Sequence, residues 1–268
     1  MAKMQNHKDN FQIFDENALF EVAIISVLGG REEQQDSVGY EIKPDEGVVV
    51  VCDGMGGHSG GKLASSIAVD MLIKKYLDIY PCNSMHHVLI DTIEDIDRKI
   101  ASITDDAGKP MQAGSTIVAV FIRGKTLHWV SAGDSRIYLF RSGELVQATE
   151  DHIYQAVLDE KKEKGLIDDL DYQLKSRQGE ALVSFLGVNG LPKIDTNENP
   201  FPLLKDDKIL LMSDGLYKLV PNDEIGRILS NFSNIEDALK ALELKAQKAA
   251  KNYNVNRDNM TVALLRIK

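Results

Sequence analysis

A chain of 268 residues, 43% hydrophobic and 27% charged, is long enough to bury a sizeable core as one large or two small globular units. Its 41 acids against 31 bases leave a formal net charge of −10, which argues against a general nucleic-acid binder and suits a protein that collects cations. No apolar run approaches the roughly 20 residues of a membrane span, and Met1 to Asp9 carry no hydrophobic leader core, so the expectation is a cytoplasmic protein.

Residues 1–17 are polar and read as loosely held, so that a flexible segment (1–18) precedes a single domain (19–268). Leu19 to Leu28 reads as a strand closed by Gly29-Gly30. Arg31 and Glu32 to Asp36 follow, then a short strand from Ser37 to Ile42 and a turn at Pro44-Asp45-Glu46-Gly47. Val48 to Val51 has the β-branched composition of a strand buried on both faces. It ends on Asp53, which enters the glycine-rich run Gly54-Met55-Gly56-Gly57-His58-Ser59-Gly60-Gly61. A carboxylate at the mouth of a stiff strand, beside bare backbone, suits a small charged ligand. Asp-Gly is also common turn chemistry, and this stretch by itself fits either.

Ser59 is a candidate cap for a helix over Gly60–Leu77, with Leu63, Ile67 and Met71 four apart and Ala64, Ala68 and Leu72 beside them. A second helix, Ser84–Ile103, repeats Met85, Leu89, Ile93, Ile96, Ile100 and Ile103 at steps of three and four. The period then switches. Thr116–Phe121, Leu127–Ala132 and Arg136–Phe140 read as an antiparallel meander, with Gly133-Asp134 in one of its turns. Tyr154 to Gln178 is charge-rich, with a helix to Lys164 stopped by Gly165; it fits a flap over a site or a solvated insert. Lys208 to Met212 is a second apolar strand ending on Asp-Gly, at Asp214-Gly215. Pro221 to Glu224 opens a short helix, and Asn234 caps a longer one with Ile235, Leu239, Leu242, Ala246 and Ala249 on its inner stripe. Met260–Ile267 is a last strand.

Asp53 and Asp214 thus fall at the carboxyl ends of strands, Asp36 and Asp258 at amino ends, and Asp134 in a turn. The carboxyl end of one antiparallel strand shares an edge with the amino end of its neighbour, so all five acids can meet at one edge. Each acid taken singly is also an ordinary turn former. Gathered together, they repel unless a cation intervenes. With neither thiol nor imidazole beside them, the fitting cations are hard divalent ions, magnesium or manganese in preference to zinc. Such a two-metal site suits hydrolysis at phosphorus, and Arg31 is a candidate fork donor for a phosphate, or simply a surface charge. Of the two cysteines, Cys52 reads as a small core hydrophobe, and with Cys82 it makes neither a disulfide framework nor a zinc cluster.

Seven segments, taken in order, resemble the bacterial form of the type 2C (PPM) metal-dependent serine/threonine protein phosphatases. They are Arg31…Gln35-Asp36-Ser37, Val51-Cys52-Asp53-Gly54-Met55-Gly56-Gly57-His58, Gly114-Ser115-Thr116, Gly133-Asp134-Ser135-Arg136, Thr149-Glu150-Asp151-His152, Ser213-Asp214-Gly215-Leu216 and Arg257-Asp258-Asn259-Met260-Thr261-Val262. The resemblance spans roughly residues 20 to 267. It implies an α+β fold, a four-layer αββα sandwich of two antiparallel sheets flanked by helices. It also implies two divalent metals, Mn2+ or Mg2+. Asp53 would be shared by both, Gly54 would bind through its carbonyl, and Asp36, Asp214 and Asp258 would complete the set. Asp134, sharing Asp214, would serve a third and weaker site. Asp53 and Arg31 would be catalytic, with Arg31 on the substrate phosphate, and the segment 154–178 would be a variable flap.

The implied reaction is hydrolysis of phosphoserine and phosphothreonine in a phosphorylated protein, the product of a serine/threonine kinase. Water bridged between the metals would attack directly, with no phosphoenzyme. The composition and hydropathy add the expectation of no nucleic-acid and no membrane partner, and the chain is expected to be a monomer. Gln34 and Ser115 stand where the family commonly has asparagine and threonine; neither is a ligand. Met55 replaces the histidine of animal members, which leaves His58 or water to protonate the leaving group, and His152 reads as a structural hydrogen-bonder. Two other readings remain at this stage: a pseudophosphatase that binds phosphoproteins, against which the intact acids argue, and a phosphomonoesterase for small molecules.

Overall fold

The computed structural model describes residues 3–4, 10–57, 60–81 and 85–268; His58, Ser59 and Cys82, singled out above, lie outside the described residues. In chain order the first strands are β1 (Lys3–Met4), β2 (Asn10–Glu16), β3 (Phe20–Val27), β4 (Asp36–Ile42) and β5 (Glu46–Met55). Helices α1 (Gly60–Ile79) and α2 (Met85–Ala101) follow, then β6 (Gly114–Ser115), β7 (Ile117–Arg123), β8 (Thr126–Ala132), β9 (Arg136–Arg141) and β10 (Glu144–Gln147). After α3 (Tyr154–Glu163) and α4 (Asp169–Lys175) come β11 (Asp195–Thr196), β12 (Phe201–Pro202) and β13 (Lys208–Met212). The chain finishes with α5 (Asp214–Tyr217), α6 (Asn222–Asn231), α7 (Ile235–Tyr253) and β14 (Met260–Ile267).

These strands form two antiparallel sheets. One runs β1-β4-β5-β7-β8-β11, with β6 on β5 and β12 on β8; the other runs β10-β9-β13-β14-β3-β2. The two-residue alternation of each strand sets the layers. Val48, Val50 and Cys52 of β5 pack against α1 and α2, while Val49 and Val51 enter the core between the sheets with Phe20, Ile24, Val118, Leu211 and Ala263. Leu210, Met212, Val262 and Leu264 pack on the far side against α6 and α7. Helix, sheet, sheet, helix is the resulting order, as the resemblance implied. Each fully buried aliphatic side chain in these layers contributes on the order of 1.5–3 kcal/mol.

Three details depart from the sequence reading. Residues 10–16 are paired along their length with β3 as an edge strand, instead of being loosely held. Phe11 and Ile13 supply the reason, since they pack against the inter-sheet core. On α1 the buried face is Ala64, Ala68, Val69, Leu72 and Ile73, whereas Leu63 is exposed. The small residues let the helix approach β4 so closely that a Cβ on Gly39 would stand 2.5 Å from Val69. On α7 it is Ala250 that is buried, one position after Ala249. Between 154 and 178, α3 ends at Glu163 and Gly165 follows at a φ of 67°, a left-handed conformation that glycine adopts without strain. A second helix, α4, begins where Asp168 accepts from the Asp171 N–H. It buries none of its residues, and no described helix is long and apolar enough to cross a membrane.

Candidate active site

The alternation that fills the inter-sheet core with apolar residues continues to its end with polar ones. On β4, Tyr40 and Val38 are succeeded on the same face by Asp36; on β5, Val49 and Val51 are succeeded by Asp53. Ser213 follows Leu211, Thr261 precedes Ala263, and Ser26 follows Ile24 in the same way. These side chains close the core with a network. Ser213 Oγ donates to Asp36 Oδ2 (2.8 Å), the Thr261 N–H donates to Ser213 Oγ (3.0 Å), and Gln34 Nε2 donates to Ser26 Oγ (3.0 Å), which is hydrogen-bonded to Thr261 Oγ1 at 3.0 Å.

Above this floor opens a cleft of about 870 Å³ lined by Arg31, Asp53, Gly54, Asp214 and Asp258. Asp36 lies directly opposite Asp53 in the β4–β5 register and is 2% exposed. Burial, opposed by its Ser213 and Thr261 bonds and reinforced by Asp214 and Asp258, raises its carboxyl to about 7. Asp53 is raised well above the ordinary range by burial and then by Asp36, Asp214, Asp134 and Asp258. Asp36, Asp134, Asp214 and Asp258 thus all lie near enough to act on Asp53, and Asp53, Asp214 and Asp258 line the one cleft. Asp36 Oδ1 and Asp214 Oδ1 are buried with no hydrogen-bond partner.

A buried, partnerless carboxylate oxygen is costly, and oxygen-only donors facing one another are what a hard dication binds. The residues fit such ions by that test. As they stand, three of the acids are turned to protein donors: Arg31 Nη2 bonds Asp258 Oδ2 at 2.5 Å, Lys218 Nζ bonds Asp214 Oδ2 at 2.7 Å and Ser213 holds Asp36. Accordingly, among the described residues no three acid, histidine or cysteine side chains form a ready-made cage. The Asp258 bond, then its charge, raises the Arg31 guanidinium pKa; with 56% of its side chain exposed, Arg31 sits at the rim.

Backbone and neighbours hold Asp53 in place. Its N–H donates to Thr116 Oγ1 (3.0 Å), and its carbonyl accepts from Ser115 Oγ (3.0 Å) and the Thr116 N–H (2.8 Å). Ser115 also pairs with Leu186, and the loop after Leu186 is clamped by buried Asp97, which accepts N–H bonds from Gly187 (2.7 Å), Asn189 (3.2 Å) and Gly190 (2.6 Å). On the opposite side Asn259 ties down the Arg31 loop, accepting from the Gln35 N–H (2.9 Å) and donating to Leu28 O (2.9 Å) and Glu33 O (3.1 Å). Gly54 has a reason beyond a bare carbonyl: a Cβ there would stand 2.1 Å from Gly61 O and 2.6 Å from Gln35 O.

Asp134 is at the edge of the group, where Oδ2 accepts from the Tyr217 hydroxyl (3.1 Å). Sequence reasoning passed over Tyr217 and Lys218, although the four-residue spacing of Asp214 and Lys218 is a readable ion-pair signal. His152 is buried and structural, accepting at Nδ1 from the Gly133 N–H (3.2 Å). Cys52 is fully buried and burial raises its thiol pKa, as suits an inert core residue.

Comparison with known proteins places the chain in a family. The family model described as "Protein phosphatase 2C" matches residues 24–162. A "Serine/threonine phosphatase stp" of Listeria monocytogenes is 31% identical over 239 residues, covering 88% of this chain and 90% of that one. "Protein phosphatase PhpP" of Streptococcus pneumoniae is 27% identical over 250 residues, covering 91% and 96%. The solved serine/threonine phosphatase of S. agalactiae superposes with a TM-score of 0.78 at 26% identity, over 93% of this chain and 100% of that chain. The catalytic domain of the phosphatase PstP, solved in complex with 2 manganese ions, superposes with a TM-score of 0.72 at 25% identity, over 93% and 98%.

Proposed function

The chain is a serine/threonine phosphatase belonging to the protein phosphatase 2C family, and on that premise we propose that it hydrolyses phosphoserine and phosphothreonine in proteins by direct attack of water on phosphorus. The observation that carries this reading is the Asp36–Asp53 pair, opposed across one ladder with Asp214 and Asp258 beside it and two carboxylate oxygens partnerless. Like charges placed opposite on a sheet destabilise it. Their retention supports a site made for cations.

Asp36, Asp53, Gly54, Asp214 and Asp258 would hold two divalent ions, manganese or magnesium, with Asp53 shared and Gly54 contributing its carbonyl. Such ions supply charge neutralisation at the phosphoryl oxygens and a water acidic enough to attack near neutral pH. Arg31 orients the substrate: its guanidinium fork can leave Asp258 for two phosphate oxygens at the exposed rim. The Thr116 and Ser115 bonds keep Asp53 from drifting toward its neighbours, and Ser213 fixes the rotation of Asp36. Among the described residues lining the cleft there is no serine, threonine, cysteine or histidine, and its aspartates are those that would hold the ions, which supports water in place of a phosphoenzyme nucleophile. As water's oxygen bonds to phosphorus the ester P–O bond breaks; one of the water's protons stays on the phosphate and the other passes to solvent, which protonates the departing alkoxide.

The test is release of phosphate from a phosphothreonine peptide, with manganese, with chelator, and with Asp53→Asn. Metal-dependent release that Asp53→Asn abolishes is the expected result. Folded, manganese-loaded protein that binds the peptide without releasing phosphate would overturn it in favour of a binding module.

A further inference from the structure

The family resemblance assigns Asp134, together with Asp214, to a third divalent ion. The contacts around these two acids oppose that assignment. Asp214 opens α5 and Lys218 lies one turn later, its N–H donating to Asp214 O at 3.1 Å, so the backbone fixes their spacing. Lys218 Nζ bonds Asp214 Oδ2 at 2.7 Å and lies 3.8 Å from Glu180, where the chain returns from the 154–178 segment. Its positive charge acts on Asp134 as well as on Asp214.

Asp134 itself is engaged by a donor braced from behind. The Tyr217 hydroxyl donates to Asp134 Oδ2, and the Tyr217 ring lies under the Arg136 guanidinium, 3.6 Å from ring centroid to Cζ. Arg136 in turn forks onto Asp151, Nε at 3.0 Å and Nη2 at 2.6 Å. Asp151, Arg136, Tyr217 and Asp134 thus form one partly buried relay that ends on the acid. This differs in kind from the Arg31–Asp258 pair at the rim. Arg31 comes from a separate loop and can withdraw, whereas Lys218 is tethered to the turn that carries Asp214. A dication between Asp134 and Asp214 would meet a resident ammonium and compete with a hydroxyl for one Asp134 oxygen, while the partnerless Asp214 Oδ1 serves the two-ion site.

We propose that Lys218 and Tyr217 stand in for the third divalent cation, so that this chain takes up two such ions and Asp134 is a structural acceptor. The count of two rests on the carboxylate cleft being the two-ion site described above. Removing the ammonium should expose the acids and admit one more ion.

Equilibrium dialysis of the full chain against excess Mn2+, with bound manganese counted per chain by atomic absorption, tests this without recourse to activity. Far-UV circular dichroism checks the fold of each variant. Wild type should hold two ions, and Lys218→Met and Lys218→Asp should each hold one more. Adding Asp134→Asn to Lys218→Asp should take that extra ion away. Should Lys218→Asp fail to fold, the neutral and near-isosteric Lys218→Met carries the comparison. Wild type holding three ions, or Lys218 variants holding no more than wild type, would overturn the proposal. Wild type holding fewer than two would instead overturn the two-ion reading, and the gain of one ion on loss of Lys218 would still decide the matter of the ammonium.

Discussion

Asp36 stands directly opposite Asp53 across the β4–β5 ladder, and both carboxylates leave the pleat toward the gap between the sheets. Without a dication this pair is a strain on the fold, because a charge on either acid is desolvated and faces the other acid. Asp36→Asn removes one of the two charges while an amide oxygen can still accept from Ser213 Oγ. In chelator the variant should therefore melt higher than wild type, by about 1 kcal/mol or more in stability. In manganese the order should reverse, since the variant loses a ligand and with it the stabilisation that ion binding confers. Thermal melts of both proteins in both buffers check this. A chelated variant that melts below wild type would show the opposed pair to be no burden.

Among the described residues lining the cleft Arg31 is the one that offers a guanidinium fork, and it does so from an exposed position. Arg31→Lys keeps the charge and loses the second parallel bond to phosphate. About tenfold in KM for a phosphopeptide is expected, the equivalent of about 1.4 kcal/mol, with kcat changed much less. Steady-state kinetics on one peptide over a range of concentration decides it. A kcat loss at unchanged KM would mean that Arg31 acts on the reaction step and not in holding substrate.

Much of this site is readable before folding because strand periodicity and chemistry coincide. The valines of β5 declare a buried strand, Asp53 breaks them, and the same pattern at Lys208 to Asp214 marks the partner edge. Ser213, Thr261 and Ser26 are not readable in that way. Each becomes part of the floor only because strands β13, β14 and β3 lie side by side, and that neighbourhood is set by long-range pairing, of β14 with β13 and of β14 with β3 at the far end of the chain. Tyr217 and Lys218 were obscured for a related reason: α5 is a single turn, too short for a periodic signal. The polar strand β2 escaped notice because an edge strand half-buries only alternate residues, and Phe14 on its outer face is 43% exposed.

His152 gives the fold a pH limit on the acid side. Burial, and then the nearby Lys193 charge, lower its imidazole to about 4 against the opposing pull of Glu150 and Asp151. The geometry agrees, since Nδ1 must stay bare to accept the Gly133 N–H. The unfolded chain takes up this proton near the ordinary value of about 6.5. The stability held by neutral His152 is therefore complete above that value and is lost as pH falls toward 4, by at most about 3 kcal/mol. Urea unfolding of wild type and His152→Asn between pH 7 and pH 4.5 isolates it, because the asparagine oxygen can accept the same N–H and does not titrate. Wild type should lose stability faster on acidification. Parallel curves would assign the acid limit to other groups.

Gly54 and Gly61 interlock where β5 hands over to α1. A Cβ on Gly54 would stand 2.1 Å from Gly61 O, and one on Gly61 would stand 2.7 Å from the Gly54 carbonyl carbon. Both obstacles are backbone, so no side chain can rotate away to relieve them. Gly54→Ala must push the start of α1 off β5, and the displacement passes to Asp53 on one side and to the Gln35 carbonyl, which accepts the Gly54 N–H at 3.2 Å, on the other. A cost of about 3 kcal/mol or more is expected, typical of a backbone clash that cannot relax, together with a fall in manganese affinity of at least tenfold. Gly57, around which a Cβ would meet nothing within 4 Å, supplies the control in the same loop. Gly57→Ala should leave both unfolding and manganese binding close to wild type. If Gly54→Ala were as harmless as Gly57→Ala, the glycine would be serving turn freedom alone, and the tight contact between strand and helix could not be what holds the acid and the carbonyl at the mouth of the cleft.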